Sequence, residues 1–402
     1  MTNLQKFELC IVGGCGHAGL PLALAFADRG VKTIAYDINQ KTIEKIESGF
    51  IPFVEEGLEG ALKKNLNKTL FLSSNKAVLQ EASTLIITIG TPVDEHINPQ
   101  YTPVMKFIQD VEPLLSEDQT LIMRSTIFPG TMDYIRSFFE EKNKPLSICF
   151  CPERLAEGKA LEELKAFPQI ISAFDERGLE SAQKLFSRLA PKTITLSPRE
   201  AELAKLFTNV WRYIKFSVAN QFFMMAEDGG ANFNKIWNAM REDYPRAQDF
   251  PKAGFAAGPC LFKDTMQLAS YYNHKFFLGH AAMLVNEGMP DYIRDTLKKK
   301  EPLRKKKIGI LGMAFKGDID DVRESLAFKL RKLLMFEGAQ VFCSDEFWDG
   351  NQFIEKSEFL TKEELLRQCD IIVIGAPHTA YKRLNFSGKT IVDIWDHIEK
   401  NN

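Results

Sequence analysis

One cysteine of this chain lies among residues that could take part in chemistry with it. The stretch KAGFAAGPCLFKDT, at 252–265, places Lys263 and Asp264 shortly after Cys260. On a helix, a spacing of four puts Cys260 and Asp264 on one face. The thiolate is the reactive form of cysteine, and a neighbouring cation favours it. The stretch therefore fits a nucleophilic thiol, and a buried apolar filler is the alternative.

Two further pairs at a spacing of four carry polar groups suited to catalysis. Glu153 and Glu157 occur in PERLAEG, and a carboxylate can handle protons when its environment tunes it. Lys205 and Asn209 occur in AELAKLFTN, where a cation and an amide could stabilise an oxyanion. Such pairs are also common on solvated helices. The apolar neighbours of Lys205 and Asn209 make that alternative weaker for this pair.

A glycine motif near the start of the chain indicates a dinucleotide. Gly14, Gly16 and Gly19 form G-x-G-x-x-G between a predicted strand and a predicted helix, and Asp37 ends the next strand. The start of that helix offers N–H groups and a positive dipole end to a pyrophosphate. A carboxylate at the position of Asp37 accepts from the ribose of NAD and repels the 2′-phosphate of NADP. The motif predicts an NAD site, and a Rossmann-like turn that binds nothing is the alternative.

The elements around these motifs repeat one scheme at both ends of the chain. Strands alternate with helices from FELCIVGG onward, and a strand, a glycine turn, a helix and a strand recur from KKIGILGMAFKGD to VFCSDE. We therefore predict an α/β fold with two Rossmann-like, doubly wound parallel-sheet domains joined by a long central helix and a helical middle domain. The predicted boundaries are 1–196 for the NAD domain, 197–301 for the helical domain and 302–402 for the second sheet domain.

The central helix has clear start and stop signals. Ser197 and Glu200 match a capping box, Pro198 occupies the first helical position, and Gly229 ends the pattern. This predicts one helix of roughly thirty residues. Its apolar residues recur at spacings of three and four: Leu203, Phe207, Val210, Ile214, Val218, Phe222 and Met225.

The second glycine turn, GMAFKGD, differs from the first. It lacks the third glycine spacing and places Phe315 and Lys316 where a pyrophosphate would need bare backbone. A second dinucleotide is not expected. Lys316 is either a surface charge or a contact for an anionic group of a substrate, such as a phosphate.

Composition excludes several function classes. The net charge of −2 over 402 residues does not fit a nucleic-acid binder, and the basic run at 297–307 is interpreted as a solvated linker. No apolar run reaches the ~18 residues of a membrane helix and no signal peptide is recognisable, so we expect a cytoplasmic protein without a membrane partner. The seven cysteines show no metal or disulfide spacing, and Cys15 and His17 are interpreted as turn filler.

Seven motifs in order resemble the UDP-glucose/GDP-mannose dehydrogenase family of nucleotide-sugar dehydrogenases. The resemblance extends from about residue 9 to 395, and the motifs are GCGHAGLPLA, GTPVDE, STIFPGT, PERLAEG, AELAKLFTN, GPCLFKD and GMAFKGDIDDVRES. The resemblance implies oxidation of the 6-hydroxymethyl group of a nucleotide sugar to a carboxylate, with two NAD used in succession. It also implies that the motif cysteine attacks the intermediate aldehyde to give a thiohemiacetal and then a thioester, which water releases as the uronic acid.

The resemblance assigns roles to residues by motif position. The implied catalytic residues are Cys260 as nucleophile, Lys205 and Asn209 for oxyanions, Asp264 and Glu153 for protons and the hydrolytic water, and Thr126 to orient water or nicotinamide. The residues implied to bind NAD are Gly14, Gly16, His17, Ala18, Gly19, Asp37, Thr91, Thr126, Glu157 and Lys263. Those implied to bind the nucleotide sugar are Glu153, Arg154, Leu155, Glu157, Lys205, Asn209, Arg246, Phe255, Gly258, Cys260, Phe315, Lys316 and Arg323.

Departures from the family pattern bear on the sugar. The loop before the thiol has Ala256, Ala257 and Pro259 where the family is richer in glycine, which changes its backbone freedom. The first choice of reaction is UDP-glucose to UDP-glucuronate. The Pro-His of GAPHTAY and the segment VDIWDH favour the alternative, a UDP-N-acetylhexosamine such as UDP-ManNAc, UDP-GlcNAc or UDP-GalNAc.

The central helix also bears on assembly. Its apolar surface and the resemblance together predict a homodimer, in which Arg246 reaches the substrate of the neighbouring subunit.

Two more distant functions remain open from the sequence. A two-electron dehydrogenase of the hydroxyacid type shares an NAD domain followed by a helical domain, but it needs no cysteine and lacks a second Rossmann-like half. A sensor that binds NAD or a nucleotide sugar without turnover would not need the polar residues that this chain keeps at the motif positions.

Overall fold

The computed structural model describes residues 6–91, 102–350 and 353–399. The chain divides into two compact units, Met1–Thr208 and Asn209–Asn402. The boundary falls inside the long central helix, which therefore begins in the first unit and continues in the second.

The first unit is built on a sheet whose described strands number eight. They are β1 Phe7–Val12, β2 Thr33–Tyr36, β3 Leu70–Ser73, β4 Ala82–Ile87, β5 Thr120–Met123, β6 Ser147–Phe150, β7 Gln169–Ala173 and β8 Thr193–Thr195. Their order in the sheet is β3-β2-β1-β4-β5-β6-β7-β8, and β1 to β6 are parallel. The order reverses between β1 and β4, which is where open sheets of this kind bind ligands.

Helices cover both faces of this sheet. They are α1 Gly19–Asp28, α2 Gln40–Glu47, α3 Leu58–Asn65, α4 Thr102–Val111, α5 Thr131–Glu141, α6 Ala160–Ala166 and α7 Glu176–Phe186. Successive side chains of a strand point to opposite faces. Leu9 and Ile11 accordingly lie in the core formed with α1, α3 and α7, whereas Cys10 and Val12 lie in the core formed with α4 and α5.

The sheet departs from a wholly parallel arrangement at one edge. Strand β7 pairs antiparallel with β6, and β8 is parallel to β7. The helix between β6 and β7, α6, has seven residues. Because β7 is antiparallel to β6, it starts beside the carboxyl end of β6, and the connection does not cross back over the sheet.

The central helix, α8, runs from Pro198 to Asp228 and has 31 residues. The predicted cap is confirmed, because the Ser197 amide donates to Glu200 Oε2 over 2.8 Å and the Glu200 amide donates to Ser197 Oγ over 3.4 Å. The predicted apolar stripe is only partly buried. Of its seven residues Val210 alone is fully buried, whereas these are exposed: Phe207, Val218, Phe222 and Met225.

The second unit contains the rest of α8, a group of helices and a parallel sheet. Its further helices are α9 Phe233–Arg241, α10 Leu261–Tyr271, α11 Phe277–Lys300, α12 Leu326–Phe336 and α13 Lys362–Gln368. Its strands are β9 Lys307–Leu311, β10 Gln340–Ser344, β11 Ile371–Ile374 and β12 Thr390–Val392, in the order β10-β9-β11-β12. The predicted fold, two Rossmann-like sheets with helices between them, is confirmed. Within the described ranges, none of the helices combines the length and apolar character that a membrane span requires.

Candidate functional site

The first glycine turn joins β1 to α1 in a shape that suits a pyrophosphate. A Cβ on Gly14 would lie 2.7 Å from the Cα of Ala35, and one on Gly19 would lie 2.2 Å from the carbonyl oxygen of Gly13. A Cβ on Gly16 would meet nothing nearer than 3.6 Å. The outer two glycines therefore allow tight packing, and Gly16 leaves the backbone open to a ligand. The left-handed backbone is at Gly13 (φ +75°), one residue before the glycine to which the motif assigns the tight turn.

Asp37 follows β2 and holds this turn. Its Oδ2 accepts from the Cys15 amide over 3.1 Å, and its Oδ1 accepts from the Asn39 amide over 3.0 Å. A carboxylate has about four acceptor positions, so each oxygen keeps one for a ribose hydroxyl. The glycine turn and Asp37 thus fit NAD together. His17 stacks on Phe53, with ring centroids 4.3 Å apart.

Two threonines predicted to lie near the cofactor meet at the carboxyl ends of β4 and β5. Thr91 is buried, and its hydroxyl donates to the carbonyl oxygen of Thr126. This contact links the loops that follow two neighbouring strands next to the topological switch point. The rest of the GTPVDE motif, at 92–95, lies outside the described residues.

The PERLAEG loop after β6 is held by an arginine that sequence reasoning missed. Arg124 is 1% exposed and follows β5. Its guanidinium pairs with Glu153 Oε2 at 2.9 Å and also donates to the Cys151 carbonyl and the Gln169 side chain. The other oxygen of Glu153 accepts from the Leu155 amide. Glu153 is therefore fixed from two sides, and the sequence signal was a lone arginine ending an apolar strand.

Other carboxylates hold the same loop by its backbone. The amides of Gly158 and Ala160 donate to Glu55, and the Ala156 amide donates to Glu163. The guanidinium of Arg154 donates to the Pro168 carbonyl, and its pKa is lowered, mainly by burial. Leu155 packs against the core beside α1, while Glu157 lies in the middle of the loop, half-buried.

Near its start, α8 brings two buried charged residues into the first unit. Glu202, which sequence reasoning missed, accepts from the amides of Gly130 and Met132 and so caps α5. Burial raises the pKa of Glu202, although these two hydrogen bonds lower it. Lys205, one turn later, is 5% exposed. No described residue of its own unit forms a hydrogen bond or ion pair with its ammonium group. A buried cation without such a partner is costly and marks a candidate functional group.

The thiol lies at the start of α10 in the second unit. Cys260 is the N-cap residue of that helix, and the Asp264 amide donates to its carbonyl. Asp264 is fully buried, and its Oδ2 accepts from Asn209 Nδ2 over 2.6 Å. Lys263 Nζ lies 3.6 Å from the other carboxylate oxygen. Four predicted catalytic or binding residues, 55 positions apart at the extremes, thus form one cluster at the beginning of α10.

The seven cysteines differ sharply in environment. Cys260 is exposed, and the other six are buried. Burial raises the pKa of each buried thiol, to about 12 for Cys15 and about 11 for Cys369. Because the thiolate is the nucleophile, Cys260 is the thiol best placed to react.

The loop before the thiol is anchored on two sides of the second unit. The Gly254 amide donates to Asn220 Oδ1 over 2.9 Å, and a Cβ on Gly254 would overlap the Trp395 ring at 2.2 Å. Phe255 packs with the core of the C-terminal sheet, and Ala256 packs with the helices around Tyr213. Where the family pattern is richer in glycine, the methyl group of Ala256 therefore fills space in the core.

The second glycine turn is held by the carboxylate of Asp345, and other groups of the protein occupy the acceptor positions of that carboxylate. Asp345 accepts from four backbone amides, those of Met313, Ala314, Phe347 and Trp348, and lies 3.1 Å from His378 Nε2. Burial alone would raise the pKa of Asp345, but His378 and the amides together lower it. Unlike Asp37, this carboxylate has no position left for a ribose.

The other predicted substrate residues lie apart from the thiol cluster in sequence but within the second unit. Lys316 is half-buried in the second glycine turn. Arg323 pairs with Asp321, with Nε 2.9 Å from both oxygens. Arg246 is exposed in the short helical turn at Pro245–Ala247.

Gly258 brings the thiol loop against Phe315. Its backbone is left-handed (φ +97°), its amide donates to the Glu324 carbonyl over 3.3 Å, and a Cβ would lie 2.6 Å from the Phe315 ring. We expect Gly258→Ala to lower the free energy of unfolding by about 2–5 kcal/mol, because backbone strain adds to steric overlap.

Gly388→Ala is the matched control for this prediction. Gly388 also has a positive φ (+76°), but none of the described atoms lies within 4 Å of the place that a Cβ would occupy. This control should cost only about 1–2 kcal/mol in denaturant unfolding. Equal losses in the two variants would contradict the packing argument.

The fold and the first glycine turn define a class of protein, the nicotinamide-dependent oxidoreductases with a Rossmann-type NAD-binding domain. Three models of one family match nearly the whole chain. The NAD-binding domain model covers residues 7–190, the central domain model 199–287 and the UDP-binding domain model 309–400. The chain belongs to the UDP-glucose/GDP-mannose dehydrogenase family.

Individual relatives carry more specific names. A UDP-N-acetyl-D-mannosamine dehydrogenase from Methanocaldococcus jannaschii is 30% identical, over 98% of this chain and 91% of its own length. The structure of a UDP-D-ManNAc dehydrogenase from Pyrococcus horikoshii is similar with a TM-score of 0.89 at 26% identity, covering 98% of this chain and 96% of that one. A UDP-glucose dehydrogenase from Pyrobaculum islandicum gives a TM-score of 0.88 at 26% identity, covering 98% and 95%.

Proposed function

We propose that this protein oxidises the 6-hydroxymethyl group of a UDP-N-acetylhexosamine to a carboxylate, using two NAD per sugar and a covalent intermediate on Cys260. The observation that carries the proposal is the cluster at the start of α10, where the one exposed thiol precedes a buried carboxylate held by Asn209. The first glycine turn and Asp37 would hold NAD, which would supply the hydride acceptor for both oxidations.

Cys260 retains the product of the first oxidation. Its sulfur bonds to the aldehyde carbon, and the carbonyl oxygen takes a proton, which gives a thiohemiacetal. The second oxidation converts this adduct into a thioester. A thiol suits this sequence because it adds readily and leaves again as a thiolate.

We assign the proton transfers of these steps to Asp264, which Asn209 holds in place. The amide of Asn209 donates to Asp264 and fixes the carboxylate within the same helical turn as Cys260. A carboxylate so placed can take a proton from the thiol or from water. The ammonium group of Lys263 lies 3.6 Å from the other oxygen of Asp264 and so places a positive charge at the start of α10, the helix that begins with Cys260.

We also assign roles to residues of the first unit. The glycine turn, Asp37 and the Thr91–Thr126 contact form the region we assign to NAD. Lys205 is assigned to oxyanion stabilisation, and Glu153, fixed by Arg124, is assigned to the handling of protons. For the second unit, we assign Lys316 and Arg323 to the charged nucleotide.

The choice of sugar rests on the relatives. Several are named UDP-N-acetyl-D-mannosamine dehydrogenases, which matches the alternative that the Pro-His and VDIWDH segments favour over UDP-glucose. UDP-N-acetylmannosamine is therefore our first choice of substrate. The domain boundaries predicted from the sequence, at 196 and 301, remain part of this proposal.

A substrate panel tests the proposal. The protein is incubated with NAD and, separately, UDP-N-acetylmannosamine, UDP-N-acetylglucosamine, UDP-N-acetylgalactosamine, UDP-glucose and GDP-mannose, and NADH and uronate are counted. We expect two NADH and one uronate per UDP-N-acetylmannosamine, with NADP a poor substitute. Faster turnover of UDP-glucose would reject the choice of sugar, and one NADH per sugar would reject the four-electron reaction.

We also propose that the protein is a homodimer. Supporting this, α8 exposes large apolar side chains in the second unit, namely Trp211 (58%) and Met225 (64%). A second copy would cover them, and Arg246 lies in an exposed loop that could reach that copy's substrate. We expect a dimer in sedimentation velocity at working concentrations; a monomer with full activity would contradict it.

A further inference from the structure

A third polar side chain shares the face of α10 that carries Cys260 and Asp264. Gln267 follows Asp264 by three residues and Cys260 by seven, and these spacings place all three on one narrow stripe of a helix. Gln267 is 1% exposed. Long side chains on a helix lean toward its N-terminus, so the amide of Gln267 leans in the direction of Asp264 and the thiol.

Two buried acceptors on this stripe accept no hydrogen bond from the described residues. They are Gln267 Oε1 and Asp264 Oδ1. The other oxygen of Asp264 is taken by Asn209, and Lys263 Nζ, at 3.6 Å, is beyond hydrogen-bond range. An unsatisfied buried acceptor is destabilising, so two of them one turn apart point to a donor from outside the chain. Water, with two O–H donors, is the smallest molecule that serves both.

We propose that Gln267 is a positioning residue for the water that hydrolyses the thioester, a role that rests on the proposed function. One O–H of that water donates to Gln267 and the other to Asp264, which leaves the oxygen free to attack. The water oxygen bonds to the acyl carbon and Asp264 takes the proton. The carbon–sulfur bond breaks, its electron pair stays on sulfur, and Cys260 leaves as a thiolate. The step needs no oxidant, because both oxidations precede it.

The variant that tests this role is Gln267→Met, which keeps the length of the side chain and removes the amide. Rapid mixing with NAD and UDP-N-acetylmannosamine should still release two NADH per active site in the first turnover. The steady-state rate should then fall by about 10- to 100-fold, because only hydrolysis loses its positioned water. Intact-protein mass spectrometry during turnover should show the acyl adduct on Cys260.

The matched control is Thr265→Val, which removes a different buried polar group of α10, a hydroxyl. The Thr265 hydroxyl donates to the Leu261 carbonyl, and its methyl group lies beside Gly279 of α11, away from the stripe of Gln267. This control should keep the native steady-state rate and accumulate no adduct.

The outcomes separate this proposal from the function on which it rests. An unchanged rate in Gln267→Met, or equal slowing of the burst and the steady state without an adduct, would overturn the role of Gln267 alone. Absence of NADH from the unsubstituted protein with every sugar of the panel would overturn the proposed function and this role with it.

Discussion

Replacing Cys260 with alanine is expected to abolish uronate formation, by about 10³-fold or more, while the protein stays folded. In the mechanism that we propose, the variant has no nucleophile to hold the aldehyde, so the second oxidation has no thiohemiacetal to act on. Cys260 is exposed at the start of α10, and its loss creates no cavity in the core. NADH and uronate are measured per UDP-N-acetylmannosamine, and any residual NADH should not exceed one per sugar.

The control for this prediction is Cys369→Ala. Cys369 is a buried thiol in the core of the C-terminal sheet, where burial raises its pKa to about 11. This variant should keep native activity.

Because Cys260 is the one exposed thiol among the seven, a single equivalent of iodoacetamide should also inactivate the native protein and label Cys260 in peptide mass mapping. Full acid formation by Cys260→Ala would reject the covalent mechanism.

Asp264→Asn is expected to lower kcat by about 10²- to 10⁴-fold with little change in KM. The substitution keeps the size of the side chain, and its amide oxygen can still accept from Asn209 over the present 2.6 Å contact. It removes the carboxylate to which we assign the proton from the thiol and from the hydrolytic water. Steady-state kinetics with UDP-N-acetylmannosamine and NAD give both constants, and thermal unfolding shows whether the fold is kept.

Asp295→Asn serves as the comparison for the loss of one carboxylate. Asp295 lies on α11, where it is exposed and pairs with Arg294. Exposed pairs of this kind contribute about 0–1 kcal/mol, so neither activity nor stability should change measurably. If Asp264→Asn kept native kcat, or lost activity only through unfolding, the proton-handling role would be wrong.

Sequence reasoning identified the elements whose signals are local. The glycine motif, the capping box of Ser197 and Glu200, and the length of α8 follow from backbone rules that act over a few residues. The resemblance to the family rested on the same kind of short motif, and the family models confirm it. The long-range support of those motifs was less visible. Arg124 and Glu202 were missed because each acts on a distant partner. Arg124 holds Glu153, 29 positions away, and Glu202 accepts from the Met132 amide, 70 positions away.

The apolar stripe of α8 shows where periodicity alone is insufficient. The spacing of Phe207, Phe222 and Met225 is that of a buried face, yet all three are exposed in the single chain. The buried face instead includes Asn209, Tyr213 and other residues, several of them polar. A hydrophobic period tells which residues share a face, whereas the neighbours in space decide which face they cover.

By itself, the sequence determined the residue types that the chemistry needs and the local elements that carry them, because turns, caps and helical periods depend on neighbouring residues. Only the tertiary structure decided which of these residues meet. The side chain of Asn209 donates to Asp264, and Gly258 lies against the Phe315 ring. On the helix face that carries the thiol, the side-chain oxygen of Gln267 is buried without a hydrogen-bond donor from the described residues. These contacts join distant segments, and their geometry depends on how the helices and sheets pack, which no local pattern encodes.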